Sequence, residues 1–225
     1  MVMAFSGKAR SGKSTSAHAL KSLDERCVVL SFAQELKRMV MEQFPEVTAE
    51  HIARKSDIVT LGGKPIHVRQ LLIEFGSMYR RICPDFWVMK LWRSAVPHLN
   101  NGGIILIDDL RYKNEANFLT KMGAHLIRVN RPGVELINDP SETELDDWEF
   151  KDTIINGRGV DIDKYRHSVK ERFGHLIKTE AVTRQRSDYS QYPSAPLNPG
   201  GLGFIDSKRM YPQSDRCGHN LPRAG

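Results

Sequence analysis

Gly7-Lys8-Ala9-Arg10-Ser11-Gly12-Lys13-Ser14-Thr15 decides how this 225-residue chain is read. The stretch fits G-x-x-x-x-G-K-[ST] without a mismatch. Val2 to Phe5 before it is a short apolar run that reads as a buried first strand, and Ser16 to Leu23 after it reads as the first helix. Strand, loop and helix in that order are the context the pattern requires. Gly7 and Gly12 permit tight turns and close approach of backbone to a ligand. The N–H groups of the loop and of the helix N-terminus then face an anion. Lys13 has the reach for β- and γ-phosphates, and the Ser14 hydroxyl is a ligand type for Mg²⁺. Residues 7 to 15 are therefore expected to hold a nucleotide.

Outward from the loop, apolar runs alternate with helical patterns. Cys27 to Phe32 is β-branched and reads as a second buried strand; Ala33 to Phe44 is an amphipathic helix ended by Pro45. Residues 46–66 are polar, contain Gly62-Gly63, and suggest a short helix and a turn. Helical spacing returns over 68–81 through Leu71, Leu72, Phe75 and Met78, and Pro84 opens another helix carrying Phe86, Trp87, Leu91 and Trp92. Ile104-Ile105-Leu106-Ile107 is the most strand-like run, closing on Asp108-Asp109. A helix over about 114–122 stops at Gly123, Leu126 to Val129 is a strand, and residues 133–150 are acidic and irregular. Asp152 to Ile155 is a short strand ending at Asn156-Gly157, before a last helix at about 162–178. This order predicts an α/β fold: a parallel sheet between two helical layers, with ligands at the strands' carboxyl ends.

Composition narrows the class. The chain is 40% hydrophobic and 27% charged, the balance of an ordinary soluble domain. No apolar run reaches transmembrane length, so no membrane partner is expected. Three cysteines without metal-type spacing argue for reduced thiols in a cytoplasmic setting. A net charge of +6 suits anionic ligands. Nucleic acid is not the expected partner, because no helicase-type motif and no basic stripe interleaved with aromatics is present. From about residue 181, scattered Pro and Gly replace apolar periodicity, so 181–225 reads as an irregular tail after a domain at 1–180.

An apolar strand ending in Asp is the usual partner of a phosphate loop, with its carboxylate acting on Mg²⁺. Two adjacent Asp residues compete for that role here, and alternation along a strand lets only one face the loop. Capping a helix or turn is the other use for such a pair.

Asp109-Leu110-Arg111-Tyr112-Lys113-Asn114-Glu115-Ala116 resembles the D-V-R-F-x-N-E-A signature of phage-type deoxynucleoside monophosphate kinases. Ser31-Phe32-Ala33 with Leu36-Lys37 is similar to the family's F-A-x-x-L-K segment. Arg69-Gln70-Leu71-Leu72, Gly76, Arg80 and Pro84-Asp85-Phe86-Trp87-Val88 resemble its R-x-L-L-Q…G…R…P-D-x-W-V block. Ser141-Glu142 and Asp152 to Asn156 resemble its lid and final strand, so the likeness runs over about residues 1–178. Leu110 replaces the family's usual Val, and the tail has no counterpart.

The resemblance implies a P-loop nucleotide kinase fold with a mobile lid at about 131–150. It implies transfer of the γ-phosphoryl group of ATP, with Mg²⁺, to a deoxynucleoside monophosphate. Lys13 would serve the donor phosphates, and Asp109, by the motif's register, would join Ser14 at the metal. Arg111 would serve the acceptor phosphate or the transferring group, its planar fork suiting bidentate binding. Lys37, Arg69 and Arg80 would lie on the acceptor side, each having the alternative of a solvated helix-face cation. Phe32 and Trp87 would flank the acceptor base, or belong to the core. Arg131 and Asn156 would lie beside the donor nucleotide, and Glu115 would cap a helix or orient Arg111. Small-molecule nucleotides are the expected partners, a homodimer is left open, and the host cytoplasm is the compartment if the chain is phage-encoded. A dephospho-coenzyme A kinase-like enzyme is the alternative within the fold, and a nucleic-acid-binding NTPase or virion component the alternative outside it.

Overall fold

Five apolar runs, too short to stand alone, pair side by side in one parallel sheet. The computed structural model describes residues 1–134 and 139–180. The strands are β1 (Val2–Ser6), β2 (Cys27–Leu30), β5 (Ile104–Leu110), β6 (His125–Asn130) and β7 (Asp152–Ile155), in the order β2-β5-β1-β6-β7. Every pairing is parallel, with Met3 opposite Leu106 on one side and His125 on the other. The chain is therefore α/β with its sheet flanked by helices, as the alternation of patterns requires.

Side-chain parity explains both faces. Met3, Phe5, Ile104, Leu106, Ile127, Val129 and Ile154 point one way, onto α1 (Lys13–Lys21) and α7 (Ile162–Glu180), where Leu20, Val169, Phe173 and Ile177 complete a buried cluster. The alternate residues Ala4, Ile105 and Ile107, also fully buried, fill the opposite face. α2 (Phe32–Gln43) and α5 (Phe86–Asn100) pack against β5 there, and α6 (Lys113–Lys121) against β6.

A second core lies off the sheet. Val40, Val47, Ile52, Val59, Val68, Leu71 and Leu72 join α2, α3 (Ala49–Ala53), the hairpin β3 (Ile58–Leu61) and β4 (Lys64–His67), and α4 (Val68–Ile82). The short helix and the Gly62-Gly63 turn follow the sequence, both glycines having positive φ (56° and 79°), as a tight hairpin turn demands. The hairpin strands themselves depart from expectation. Only Val59 is buried on them, so almost no alternating apolar signal marks them.

Other boundaries shift by a few residues. α1 begins at Lys13 inside the loop motif, because Gly12 (φ 112°) caps the helix. Phe32 opens α2 instead of closing β2, and β5 runs on through both Asp residues to Leu110. Among the described residues no helix is long and apolar enough to cross a membrane. Cys27 and Cys83 carry free thiols; Cys217 and the expected tail lie outside the described residues.

Candidate active site

The phosphate loop sits at the carboxyl end of β1, held by contacts only glycine allows. Gly7 has φ 146°, and a Cβ there would lie 2.3 Å from Val129 O on the neighbouring strand. Asn156, at the end of β7, donates to Ser11 O at 2.9 Å and ties the loop from the other side. Tyr165 of α7 shares a 2.7 Å hydrogen bond with Ser16. Lys13 is buried, and its Nζ donates to Gly7 O and Lys8 O, each at 2.8 Å. Burial pulls its pKa down to about 8, reinforced by Arg111 and opposed by Glu142, Asp109 and Asp108. The first N–H groups of α1 have no partners within the helix and face outward, a ready anion site. A cavity of about 450 Å³ opens beside them, lined by Arg10, Gly12 to Thr15, Arg131, Asn156 and Tyr165. Arg131 also donates to Arg10 O at 3.3 Å.

The two carboxylates of β5 leave the strand on opposite sides. Asp108 continues the parity of Ile104 and Leu106 toward α1, and Ser14 hydrogen-bonds to it. Burial, then Asp109, raises its pKa. Asp109 continues the parity of Ile105 and Ile107. Its oxygens accept from Ser31 Oγ (2.6 Å), Phe32 N (2.8 Å) and Ala33 N (2.9 Å), so it caps α2. This geometry runs against the motif register that favours Asp109 for the metal. The carboxylate beside the loop serine is Asp108, and Asp109 spends its oxygens on a helix start.

Across the cleft lies a cationic wall. A cavity of about 490 Å³ is lined on one side by Lys13, Ser14 and Asp108, and on the other by Lys37, Lys55, Arg69 and Arg111. It leads into a smaller pocket of about 170 Å³ walled by Phe32, Leu36, Leu72, Trp87 and Tyr112. Trp87 is 2% exposed and donates to Gly76 O at 3.1 Å, so it is core and pocket wall at once. Arg80 stacks over the Tyr112 ring (4.0 Å to the centroid) and stands 3.9 Å from the Glu115 carboxylate. Glu115 is buried; its Oε2 accepts from Arg111 N (3.0 Å) and Tyr112 N (3.1 Å), and desolvation raises its pKa to about 8.

The segment from Asp139 onward straps these halves together. Glu142 accepts from Ala9 N at 2.6 Å and pairs with the Arg111 guanidinium, while Lys8 donates to Glu142 O and pairs with Asp146. Asp146 also pairs with Arg128 of β6. Lys8 is thereby committed to the strap instead of to a cavity.

All the expected positions except Gly7, Lys8 and Ser11 line a cavity. Gly7 acts through the close approach to β6, and Ser11 is buried behind the loop; Ala9 lines the larger cleft. Two positions, Lys55 and Glu142, escape sequence reading, and a third, Asp108, is left by it in competition with Asp109. Lys55 lies in the polar stretch between Pro45 and the hairpin, where nothing distinguishes it from a solvated lysine; burial and the cations Lys37, Arg69 and Arg111 lower its pKa. Glu142 reads only as part of the acidic lid segment. Asp108 carries its signal in the alternation of β5.

For Mg²⁺, Ser14 and Asp108 supply two hard oxygen donors in contact beside the phosphate-facing loop, the donor type that ion takes when phosphates complete its shell. No cluster of three His, Cys, Asp or Glu that would hold a metal by itself occurs among the described residues.

No protein-family model matches the chain. An uncharacterized protein, ORF76, of Ictalurid herpesvirus 1 (strain Auburn) is 31% identical over 94 residues, 39% of this chain and 39% of that protein. A protein of Acanthamoeba polyphaga mimivirus named "Putative deoxynucleotide monophosphate kinase" is 33% identical over 67 residues, 29% of this chain and 35% of that one. The chain thus matches less than two fifths of the length of either relative. Among solved structures, a sugar kinase from Janibacter sp. HTCC2649 aligns over 81% of this chain and 96% of its own (TM-score 0.43, 15% identity). The tunicamycin resistance protein of Deinococcus radiodurans aligns over 77% and 95% (TM-score 0.43, 13% identity).

Proposed function

We propose that the chain is a phosphotransferase that moves the γ-phosphoryl group of ATP to a deoxynucleoside monophosphate. The observation that carries this reading is a single cleft with Lys13, Ser14 and Asp108 on one wall and Lys37, Lys55, Arg69 and Arg111 on the other. Two phosphate-holding walls facing each other are what in-line transfer needs, since the chemistry asks for positioning and charge neutralisation more than for a covalent catalyst. The name of the mimivirus relative supports the choice of a deoxynucleotide as acceptor.

In this mechanism ATP lies with its base beside Arg131, Asn156 and Tyr165 and its phosphates on the loop. Lys13 exchanges the Gly7 and Lys8 carbonyls for phosphate oxygens, and a phosphate beside it offsets the burial that depresses its pKa. Mg²⁺, held through Ser14 and Asp108, would neutralise phosphate charge. The acceptor base enters the pocket between Phe32, Leu72, Trp87 and Tyr112, while Lys37, Arg69 and Arg111 hold its phosphate. Arg80, pinned on Tyr112, lies at the base end of that pocket. The strap lines the cleft through Asp139, Ser141 and Glu142.

A coupled ADP-release assay with ATP, Mg²⁺ and each deoxynucleoside monophosphate in turn tests the reading. Turnover that requires a monophosphate is expected. ATP hydrolysis at one rate with and without every monophosphate would refute it.

A further inference from the structure

We propose that Glu142 is a positioning residue that couples the two walls of the cleft, setting Arg111 against the phosphate loop with one carboxylate. This rests on the phosphotransfer reading above. Oε2 accepts the Ala9 N–H at 2.6 Å, and Oε1 takes Nη1 of Arg111, which also lies 3.4 Å from Ser141 Oγ. The side chain is 4% exposed, so these bonds are made away from water, where a charge-assisted contact is strong and an unmade one costly.

Arg111 gives Glu142 a single nitrogen. Its Nε and Nη2 make no hydrogen bond among the described residues, and the side chain lines the cleft beside Lys37, Lys55 and Arg69. A guanidinium held by one corner keeps the rest of its fork for a phosphate. The phosphate loop is treated alike: Glu142 uses the amide of Ala9 and leaves the amides of Lys13, Ser14 and Thr15, at the helix start, for the donor. The carboxylate therefore lies beside the anion sites and not in them.

Its backbone is anchored as firmly. Lys8 donates to Glu142 O, the Asp146 carboxylate takes Lys8 and Arg128, and Lys113 N donates to Glu144 at 3.0 Å. The strap thus reaches the loop, β6 and the start of α6, with Glu142 at the point where the donor and acceptor walls meet. The reciprocal cost is charge: a carboxylate near transferring phosphate repels it. It is tolerable because Arg111, Lys8 and Lys13 surround it.

The experiment is a double-mutant cycle on the full chain with Glu142→Gln, Arg111→Ala and the pair, measuring kcat and both KM values with ATP, Mg²⁺ and the best deoxynucleoside monophosphate. Glu142→Gln should lower kcat/KM for the monophosphate by roughly tenfold to a hundredfold, the scale seen when a supporting contact to a working side chain is lost. The KM for ATP should change much less. In the Arg111→Ala background the same substitution should add almost nothing, since Glu142 acts through Arg111. Glu142→Asp, which keeps the charge but cannot span both contacts, should fall between; if the Gln variant does not fold, the cycle is run with Asp. Three results overturn the role: additive losses, unchanged kinetics, or a lower KM for ATP in Glu142→Gln, the sign of a carboxylate that competes with phosphate. Absence of monophosphate turnover in the unsubstituted chain would instead remove the functional reading, and this role with it.

Discussion

Asp108 and Asp109 are neighbours in sequence, yet the strand sends their carboxylates to different tasks. Asp108→Asn should cut Mg²⁺-dependent turnover by roughly a hundredfold or more, the scale of losing one preorganised charge contact, with the melting temperature nearly unchanged. Asp109→Asn should keep more activity and lose about 1–2 kcal/mol of stability, because three donors at the start of α2 lose a charged acceptor. Magnesium titrations of kcat beside thermal melts separate the two; the opposite ranking would return the metal to Asp109. Glu115 carries a second test at this scale. Its folded pKa, about 8, lies above the ordinary 4.5 because burial disfavours the charge. Between those values the folded chain binds a proton that the unfolded chain has released. The resulting stabilisation is complete below about pH 4.5 and is lost as pH rises through 8. The slope from one group cannot exceed about 1.4 kcal/mol per pH unit. Glu115→Gln keeps an acceptor for Arg111 N and Tyr112 N without a titrating proton. Urea denaturation at pH 5, 6.5 and 8 should therefore show wild type losing stability relative to the variant as pH rises; parallel curves would refute the buried-acid assignment.

At the scale of elements, the strand-to-loop junction is where local conformation and function meet. The Gly7 φ of 146° and the 2.3 Å approach of a would-be Cβ to Val129 O leave no room for alanine. Val129 cannot yield cheaply, since β6 pairs with β1 through Phe5–Ile127 and Ser6–Arg128. Gly7→Ala should thus displace the loop, costing about 1–3 kcal/mol of strain and most of kcat. Gly102 is the control: φ is 75° but nothing lies within 4 Å, so Gly102→Ala should cost only about 1–2 kcal/mol and spare kcat. Equal kinetic damage from both would mean the loop's position is not what matters. The same junction shows what sequence makes legible. β1, β5 and β6 are near-continuous apolar runs because helices cover both faces, and Gly7 and Gly12 announce a loop between strand and helix. The hairpin β3–β4 announces nothing, because one buried residue, Val59, cannot set a period. Lys55 is illegible for a related reason: its role depends on α3 and the hairpin folding back beside Lys37, contacts no local pattern encodes. Asp108 is legible despite the motif register, since parity counted from Ile104 and Leu106 already turns it toward α1.

For the whole molecule, the order of elements in the sequence suffices to predict the parallel sheet and its two helical layers, while the off-sheet core around Val40, Val59 and Leu72 emerges only from long-range packing. That division bears on how much of the chain the chemistry needs. Every residue assigned to the cleft lies at or before Tyr165, and α7 delivers its last core side chain, Ile177, shortly before its end at Glu180. From 181 onward the sequence offers Pro193, Pro196, Pro199, Pro212 and Pro222 among scattered glycines and no helical or strand period. Composition of that kind is expected to contribute little apolar burial relative to the entropy of ordering it. A chain ending after Val182 should therefore stay folded and retain its kcat within about twofold, since no assigned contact is removed. Leu202, Phe204 and Ile205 make an apolar group in the sequence of the removed stretch. Should that group dock on the domain or on a second copy, truncation would lower the melting temperature or change the mass in solution, with turnover intact. Kinetics, thermal melting and light scattering on the truncated and full-length chains decide between these outcomes. Loss of turnover from a chain that still melts cooperatively would mean residues beyond 182 complete the site, and the domain boundary drawn from composition would be wrong.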